Sequence, residues 1–246
     1  GVDNLDFYET LASGSEAFCP LVQQFGPPRF EGRDVFTALV RAVVWQQLSS
    51  RAATSIWLRF LAAIECPLDT VPEPSPSPSK APVPVLQPHM FDKVDCDVLR
   101  KAGLSQRKAD YILNIAGMFR SGSLAQESLA ELCDEDVSIA KNGSTSDGRL
   151  LSGLRLAVPQ VKSALIPLKG VGAWTVDMVL MFSLQRPDVL PVGDLAVRKG
   201  AMKFFKLKSM PSEEQMRTLF EPFRPYRSYA SWYMWHVVDP TFQLPD

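Results

Sequence analysis

The sequence predicts an all-α fold built as two helical lobes. Apolar residues recur at helical spacing along most of the chain. No stretch shows a convincing alternation of period two. Capping residues stand where several of the periodic stretches open. With 246 residues, of which 46% are hydrophobic, the chain is long enough for one large domain or two lobes around a cleft and apolar enough to bury a substantial core.

Taken in order, Asp34 caps a first helix with Val35, Phe36, Leu39, Val40, Val43 and Val44 on one side. That helix breaks at Gln46 to Ser50. A second carries Ala53, Ile56, Trp57, Phe60 and Leu61 inward. Pro67 to Pro88 contains P-E-P-S-P-S-P-S and reads as an irregular, dispensable loop insertion. Ser105 opens a third helix with Tyr111, Ile112, Ile115 and Phe119 inward. Ala140 to Arg149, with N-G-S-T-S-D-G, reads as a second loop. Val158, Val161, Ala164, Leu165 and Leu168 form a helical stripe that Pro167 should end or kink.

L-K-G-V-G-A-W-T follows at Leu168 to Thr175. Gly170 and Gly172 flank Val171 in a turn tight enough to need residues free of a Cβ. The apolar helix beyond can point its first backbone N–H groups at an anion. L-P-V-G-D then places Asp194 behind a Pro–Gly corner. A short helix is expected around Ala196 to Phe204. Ser212 and Gln215 form a capping-box pair, and a last helix runs from Ser228 to about Val238. No sequence repeat is evident.

Composition narrows the classes. The net charge is −1, so any positive surface must be local, unlike the broad basic face of many DNA-binding proteins. No apolar run approaches the roughly 20 residues that span a bilayer. The longest, Val176 to Leu184, is half that and contains Asp177. The opening G-V-D-N-L-D has neither a basic nor an apolar leader region. The chain is therefore expected to be intracellular, and nuclear if its source is eukaryotic. Cys19, Cys66, Cys96 and Cys133 are too widely spaced for a zinc site and read as reduced thiols in or near a core. His89 and His236 are the only histidines, which weighs against a metallohydrolase or a Ser–His hydrolase.

An anion-binding hairpin followed at this spacing by one carboxylate suggests a site that grips a phosphate backbone and does chemistry beside it. These residues resemble the helix-hairpin-helix (HhH-GPD) DNA glycosylases, and within them the 3-methyladenine DNA glycosylase II branch. V-V-W-Q-Q-L-S-S-R-A-A at Val43 to Ala53, the hairpin with Asp194, and P-Y-R-S-Y-A-S-W-Y-M-W at Pro225 to Trp235 carry the resemblance. With G-L-S-Q-R-K-A at Gly103 to Ala109, it extends from about Asp34 to Trp235. The resemblance implies a central lobe over 41–185, its helix-hairpin-helix at about 159–184. It implies a second lobe in which 1–40 join 186–246, and a cleft between them for the target base.

It also implies roles. Asp194 is the expected catalytic carboxylate, stabilising positive charge that develops at C1′ of the sugar and orienting a water. It can cap the next helix at the same time. Relatives that also cut the strand carry a Schiff-base Lys where this chain has Trp174, so the expected enzyme is a monofunctional glycosylase. Trp174 and Trp235 are expected in the base pocket, with Tyr229, Trp232 and Tyr233 as weaker candidates. Met178 joins them, standing where some relatives have Tyr.

Gln47, or else Leu48, is expected to wedge into the gap left by the extruded base. Ser49 or Ser50 caps the following helix or offers a backbone N–H to phosphate. Gly170, Val171 and Gly172 should bind the DNA backbone, with Lys169, Arg198 and Lys199 as phosphate partners. Arg107 and Lys108 rank below these. Asp177, one turn from Trp174 on a buried helix, reads as structural.

Relatives hold a monovalent cation at the hairpin. Here the carbonyls of Ile166, Leu168 and Val171 would take it, sodium or potassium alike. No cofactor is otherwise required. Other branches hold an iron–sulfur cluster on four clustered C-terminal cysteines, and with no cysteine after Cys133 none is expected. The implied partner is double-stranded DNA containing alkylated purines, bound by a monomer. The substrates expected first are 3-methyladenine and 7-methylguanine, whose positive charge makes them good leaving groups. The rivals are a glycosylase for deaminated or mismatched bases, and a hairpin module that binds DNA without cleaving.

Overall fold

The computed structural model describes residues 4–28, 30, 34–67, 84–124 and 159–238. Every regular element among them is a helix, as the sequence predicts. In chain order these are α1 (Asn4–Gly14), α2 (Phe18–Phe25), α3 (Val35–Trp45), α4 (Ser50–Ala63), α5 (Cys96–Lys101) and α6 (Gln106–Arg120). Then come α7 (159–165), α8 (Ala173–Phe182), α9 (Leu195–Phe204), α10 (Glu213–Leu219) and α11 (Arg227–Val237). Short 3-10 turns stand at Pro88–Phe91 and Glu221–Phe223. The Ala140 to Arg149 loop, Val158, Cys133 and positions 68–83 lie outside the described residues.

The chain divides into two units, Gly32–Leu184 and Gly1–Glu31 with Gln185–Asp246. The expected boundary at 40/41 would cut α3, which runs unbroken from Val35 to Trp45, so the division falls ahead of that helix.

In the unit spanning Gly32–Leu184, α3 is the central element. Asp34 caps it, its Oδ1 accepting from Thr37 N at 2.7 Å. The expected one-sided stripe is wrong here: every residue from Val35 to Val44 is buried. Helices α4, α6 and α8 all pack on it. Buried Arg41 lays its guanidinium 3.9 Å from the centroid of the Trp45 ring, where a cation–π contact replaces part of its hydration.

The expectation that all of Pro67 to Pro88 is dispensable also needs correcting. Leu86 is 1% exposed, and its N–H donates to the Oγ1 of buried Thr37 at 2.8 Å. The loop's last residues are thus part of the core. Thr37→Val keeps the shape but strands that N–H in an apolar setting. It is expected to cost about 1–3 kcal/mol in chemical denaturation. An unchanged midpoint would mean that the N–H finds another acceptor.

The other unit is built around aromatic packing. Phe7, Leu11, Phe18 and Leu21 from α1 and α2 meet Phe204, Phe220 and Phe223 in one core. Phe18 stands edge-on to Phe223 at 4.8 Å. The sequence reading missed α1 and α2. The former has no clean apolar stripe, and the latter opens without a side-chain cap. Helix α10 carries the predicted capping box, Gln215 N to Ser212 Oγ at 3.2 Å and Ser212 N to Gln215 Oε1 at 2.7 Å. Helices α9 and α11 make the most extensive pairing among the described elements. They approach so closely at Gly200 that a Cβ there would lie 2.2 Å from the Met234 carbonyl oxygen.

Candidate active site

Helix α7 ends two residues before Pro167, and Val171 N donates to Leu168 O at 3.0 Å to close the hairpin turn. Gly170 has φ +85°, and a Cβ there would stand 2.1 Å from the Tyr111 ring. Only glycine meets both demands. Gly172 is different. It is the N-cap of α8 with φ −103°, and a Cβ there would have nothing within 4 Å. The expectation that the turn itself needs both glycines therefore holds at Gly170 alone.

Gly172 gives the first turn of α8 no side-chain acceptor. A serine or aspartate in its place would fold back on those amides. Val171 and Leu168 are buried, Lys169 is exposed, and Ile166 is 50% exposed. Lys162 pairs with Asp177 at 3.6 Å, joining the hairpin's two helices, so Asp177 has the structural place the sequence suggested. Trp174 is half-buried in the first turn of α8, and Met178 is buried one turn on.

The turn between α3 and α4 presents Gln47, Leu48 and Ser49, all exposed. Gln47 has φ +58°, in the left-handed region that a residue with a Cβ enters at a cost of about 1 kcal/mol. Ser49 caps α4, its Oγ accepting from Ala52 N at 3.4 Å. Lys108 is not displayed for a phosphate. Its Nζ donates to the carbonyls of Val44 and Gln46 at 2.8 Å each, closing the end of α3, and burial pulls its pKa down.

Gln46 was not singled out from sequence. Its Nε2 donates to Gly170 O at 2.8 Å and to Thr175 Oγ1 at 3.0 Å. The doubled glutamine at Gln46 and Gln47 was the available signal, but nothing local says that one points inward and the other out.

Asp194 belongs to the other unit, and the loop leading to it is pinned. Ser228 Oγ donates to Arg186 O at 2.6 Å and accepts from Val189 N at 2.8 Å. Asp188 receives Arg227 through Nε at 2.6 Å and Nη2 at 2.9 Å, and Arg224 Nη1 at 3.1 Å. Asp194 is 8% exposed and is the N-cap of α9. Its Oδ1 accepts from Val197 N at 2.8 Å and from Trp235 Nε1 at 3.2 Å. Trp235 therefore lies beside the carboxylate, half-buried.

The weaker aromatic candidates go into packing. Tyr233 is fully buried, its hydroxyl donates to Gly26 O at 2.7 Å, and burial raises its pKa. Trp232 is buried against the His236 ring at 3.9 Å, and Tyr229 stacks on Phe30 at 5.5 Å. Arg198 is spent as well: Nε and Nη2 both donate to Pro211 O, at 2.9 and 2.8 Å. Lys199 is exposed.

The chain is 30% identical over 194 residues to DNA-3-methyladenine glycosylase 1 of Schizosaccharomyces pombe, a match covering 78% of this chain and 68% of that protein. It is 26% identical over 217 residues to the alkylbase DNA glycosidase-like protein mag2 of the same organism, covering 86% and 83%. A solved structure of the S. pombe 3-methyladenine DNA glycosylase Mag1 in complex with abasic DNA superposes with a TM-score of 0.68 at 27% identity, over 94% of this chain and 95% of that one. Residues 40–225 match the family described as HhH-GPD superfamily base excision DNA repair protein. That match runs from within α3 through the hairpin and Asp194 alike, and the chain belongs to the HhH-GPD superfamily of base excision DNA repair proteins.

Proposed function

We propose that this protein is a monofunctional DNA glycosylase. It binds double-stranded DNA as a monomer, flips out an alkylated purine and hydrolyses the base–sugar bond, leaving an abasic site. 3-Methyladenine and 7-methylguanine are the substrates that suit it best. The observation that carries this reading is the Asp194 carboxylate. It is buried, and it is oriented by the α9 amide of Val197 and the Trp235 indole.

Bond cleavage builds positive charge on the sugar. A carboxylate fixed before the reaction stabilises that charge without having to reorganise. The same oxygen pair can orient the attacking water. A cationic alkylated base leaves as a neutral molecule, so no strong acid is required beside it. Trp235 next to Asp194 supplies an electron-rich face for such a base. Trp174 and Met178 on α8 are proposed contacts of the target base, and Gln47 the proposed wedge.

The hairpin grips the phosphate backbone through the amides of Gly170 and Gly172, the expected Val171 amide being already given to Leu168 O, with exposed Lys169 in support; exposed Lys199 on the other unit is a further proposed phosphate partner. A monovalent cation is proposed at the same turn. The resemblance points to the carbonyls of Ile166, Leu168 and Val171 as its ligands; that of Leu168 also accepts Val171 N at 3.0 Å and keeps a second lone pair for an ion. Neutral carbonyl oxygens, with no cluster of His, Cys, Asp or Glu among the described residues, suit a singly charged ion. Bound there, it would bridge the turn to a phosphate. The work is done where DNA is held, in the nucleus of a eukaryotic source. No helix among the described residues is long and apolar enough to cross a membrane.

The test is single-turnover base release across duplexes carrying 7-methylguanine, 3-methyladenine, uracil or a mismatch. Release of the alkylated purines first supports the proposal. Preference for uracil or a mismatch moves the chain to another branch, and binding with no release from any substrate leaves a non-catalytic module. Borohydride is expected to trap no covalent adduct during turnover, with strand breaks appearing only after alkali, because Trp174 offers no amine. A trapped adduct would overturn the monofunctional assignment.

A further inference from the structure

Gln46 makes contacts that its own turn does not require. The turn is already closed by Leu48 N donating to Trp45 O at 3.2 Å, and the end of α3 is capped by Lys108. Yet the Gln46 side chain reaches residues 124 and 129 positions away, the Gly170 carbonyl at the tip of the hairpin and the Thr175 hydroxyl on α8. Two donors on one amide nitrogen have two acceptors. Its backbone carbonyl meanwhile receives Lys108 from α6. Residue 46 is thus fixed by α6, the hairpin tip and α8 together. Gln47 projects directly from it, its backbone held in the left-handed region at φ +58°.

We propose that Gln46 is a positioning residue that ties the wedge turn to the DNA-gripping hairpin, so that a phosphate held by the hairpin sets how far Gln47 enters the stack. The inference rests on Gln47 being the wedge. Gly170 serves both sides of this tie. Its left-handed backbone belongs to the turn proposed to grip phosphate, and its carbonyl accepts from Gln46, the residue before the proposed wedge. A wedge on a loose turn would yield before the base did. One anchored to the phosphate grip carries that binding energy into unstacking.

The test compares two substrates: 7-methylguanine paired in a duplex, and the same lesion in a bulge where it is already unstacked. Gln46→Met keeps the length and loses both donors. It is expected to slow single-turnover release from the paired duplex about tenfold or more, the scale of one to two lost hydrogen bonds. Release from the bulge should stay within about twofold of the parent. Thr175→Val removes only one of the two acceptors and should give a smaller loss with the same selectivity. It serves as the second probe if Gln46→Met folds poorly.

Gln47→Ala is run in parallel, with the Gln46→Met/Gln47→Ala pair. If the residues act as a unit, the pair is no slower than Gln47→Ala alone. Equal slowing of both substrates by Gln46→Met, or none, while Gln47→Ala remains duplex-selective, would reduce Gln46 to a packing residue and overturn the proposal. If Gln47→Ala matches the parent on both substrates, the wedge assignment itself falls and the proposal falls with it.

Discussion

Asp194→Asn is expected to release 7-methylguanine about a hundred- to a thousandfold more slowly than the parent, the usual cost of one preorganised electrostatic contact. The substitution is close to isosteric. An amide oxygen can still accept from Val197 N and from Trp235 Nε1, so both hydrogen bonds of the carboxylate survive. Asn also caps helices as well as Asp, which protects the start of α9. What disappears is the full negative charge, and with it the ability to take a proton from water. Binding to an abasic-site analogue should be retained or slightly tightened, since a carboxylate repels nearby phosphates. The measurement pairs single-turnover release with a binding titration and a thermal melt. A mutant that folds, binds and releases base like the parent would leave Asp194 as a helix cap only.

Gly200→Ala is expected to destabilise the protein by about 3 kcal/mol, the upper part of the range for forcing an atom into a packed contact. Helix propensity alone argues the other way, favouring Ala over Gly inside α9 by about 1 kcal/mol. Geometry decides. The new Cβ would meet the Met234 carbonyl oxygen at 2.2 Å and its carbonyl carbon at 2.8 Å, and backbone cannot swing aside as a flexible side chain does. The two helices must separate. Asp194 caps α9 and Trp235 follows Met234 on α11, so the same shift lengthens the 3.2 Å contact between them. The expected readouts are a lowered denaturation midpoint and slower release from the folded fraction. A melt equal to or above the parent's would show that α9 and α11 tolerate a wider spacing.

Local chemistry made the helices of the Gly32–Leu184 unit readable. Asp34 and Ser105 cap where the pattern says they should, as do Ser212 and Asp194 in the other unit, because a cap is decided within three residues. Helix α3 was found but its burial was not, since a helix wrapped by three others loses the one-sided stripe that spacing detects. Asp194 could be picked out because its motif is contiguous. Its partner Trp235 is 41 positions away, and only the fold puts that indole on Oδ1.

Cations were the least legible. Arg198 and Lys108 look like phosphate ligands in a list of charges, yet each is engaged with backbone carbonyls. Whether a basic side chain faces solvent or closes a helix end is settled by tertiary packing. Gln46 was hidden for the same reason: its value lies in reaching residues far along the chain.

On the proposed role of Asp194, the pairing of helix cap and charge in one side chain narrows how a lineage descended from such an enzyme can lose its chemistry. Ala at this position forfeits the cap of α9 as well as the charge, about 0.5–2 kcal/mol out of a marginal total. Asn or Ser forfeits the charge and keeps the cap. Drift released from selection for catalysis, but still held by selection for folding, therefore has an open path through those two residues. On the proposed function, a descendant on that path would keep its helices and its hairpin turn and would bind DNA without acting on it.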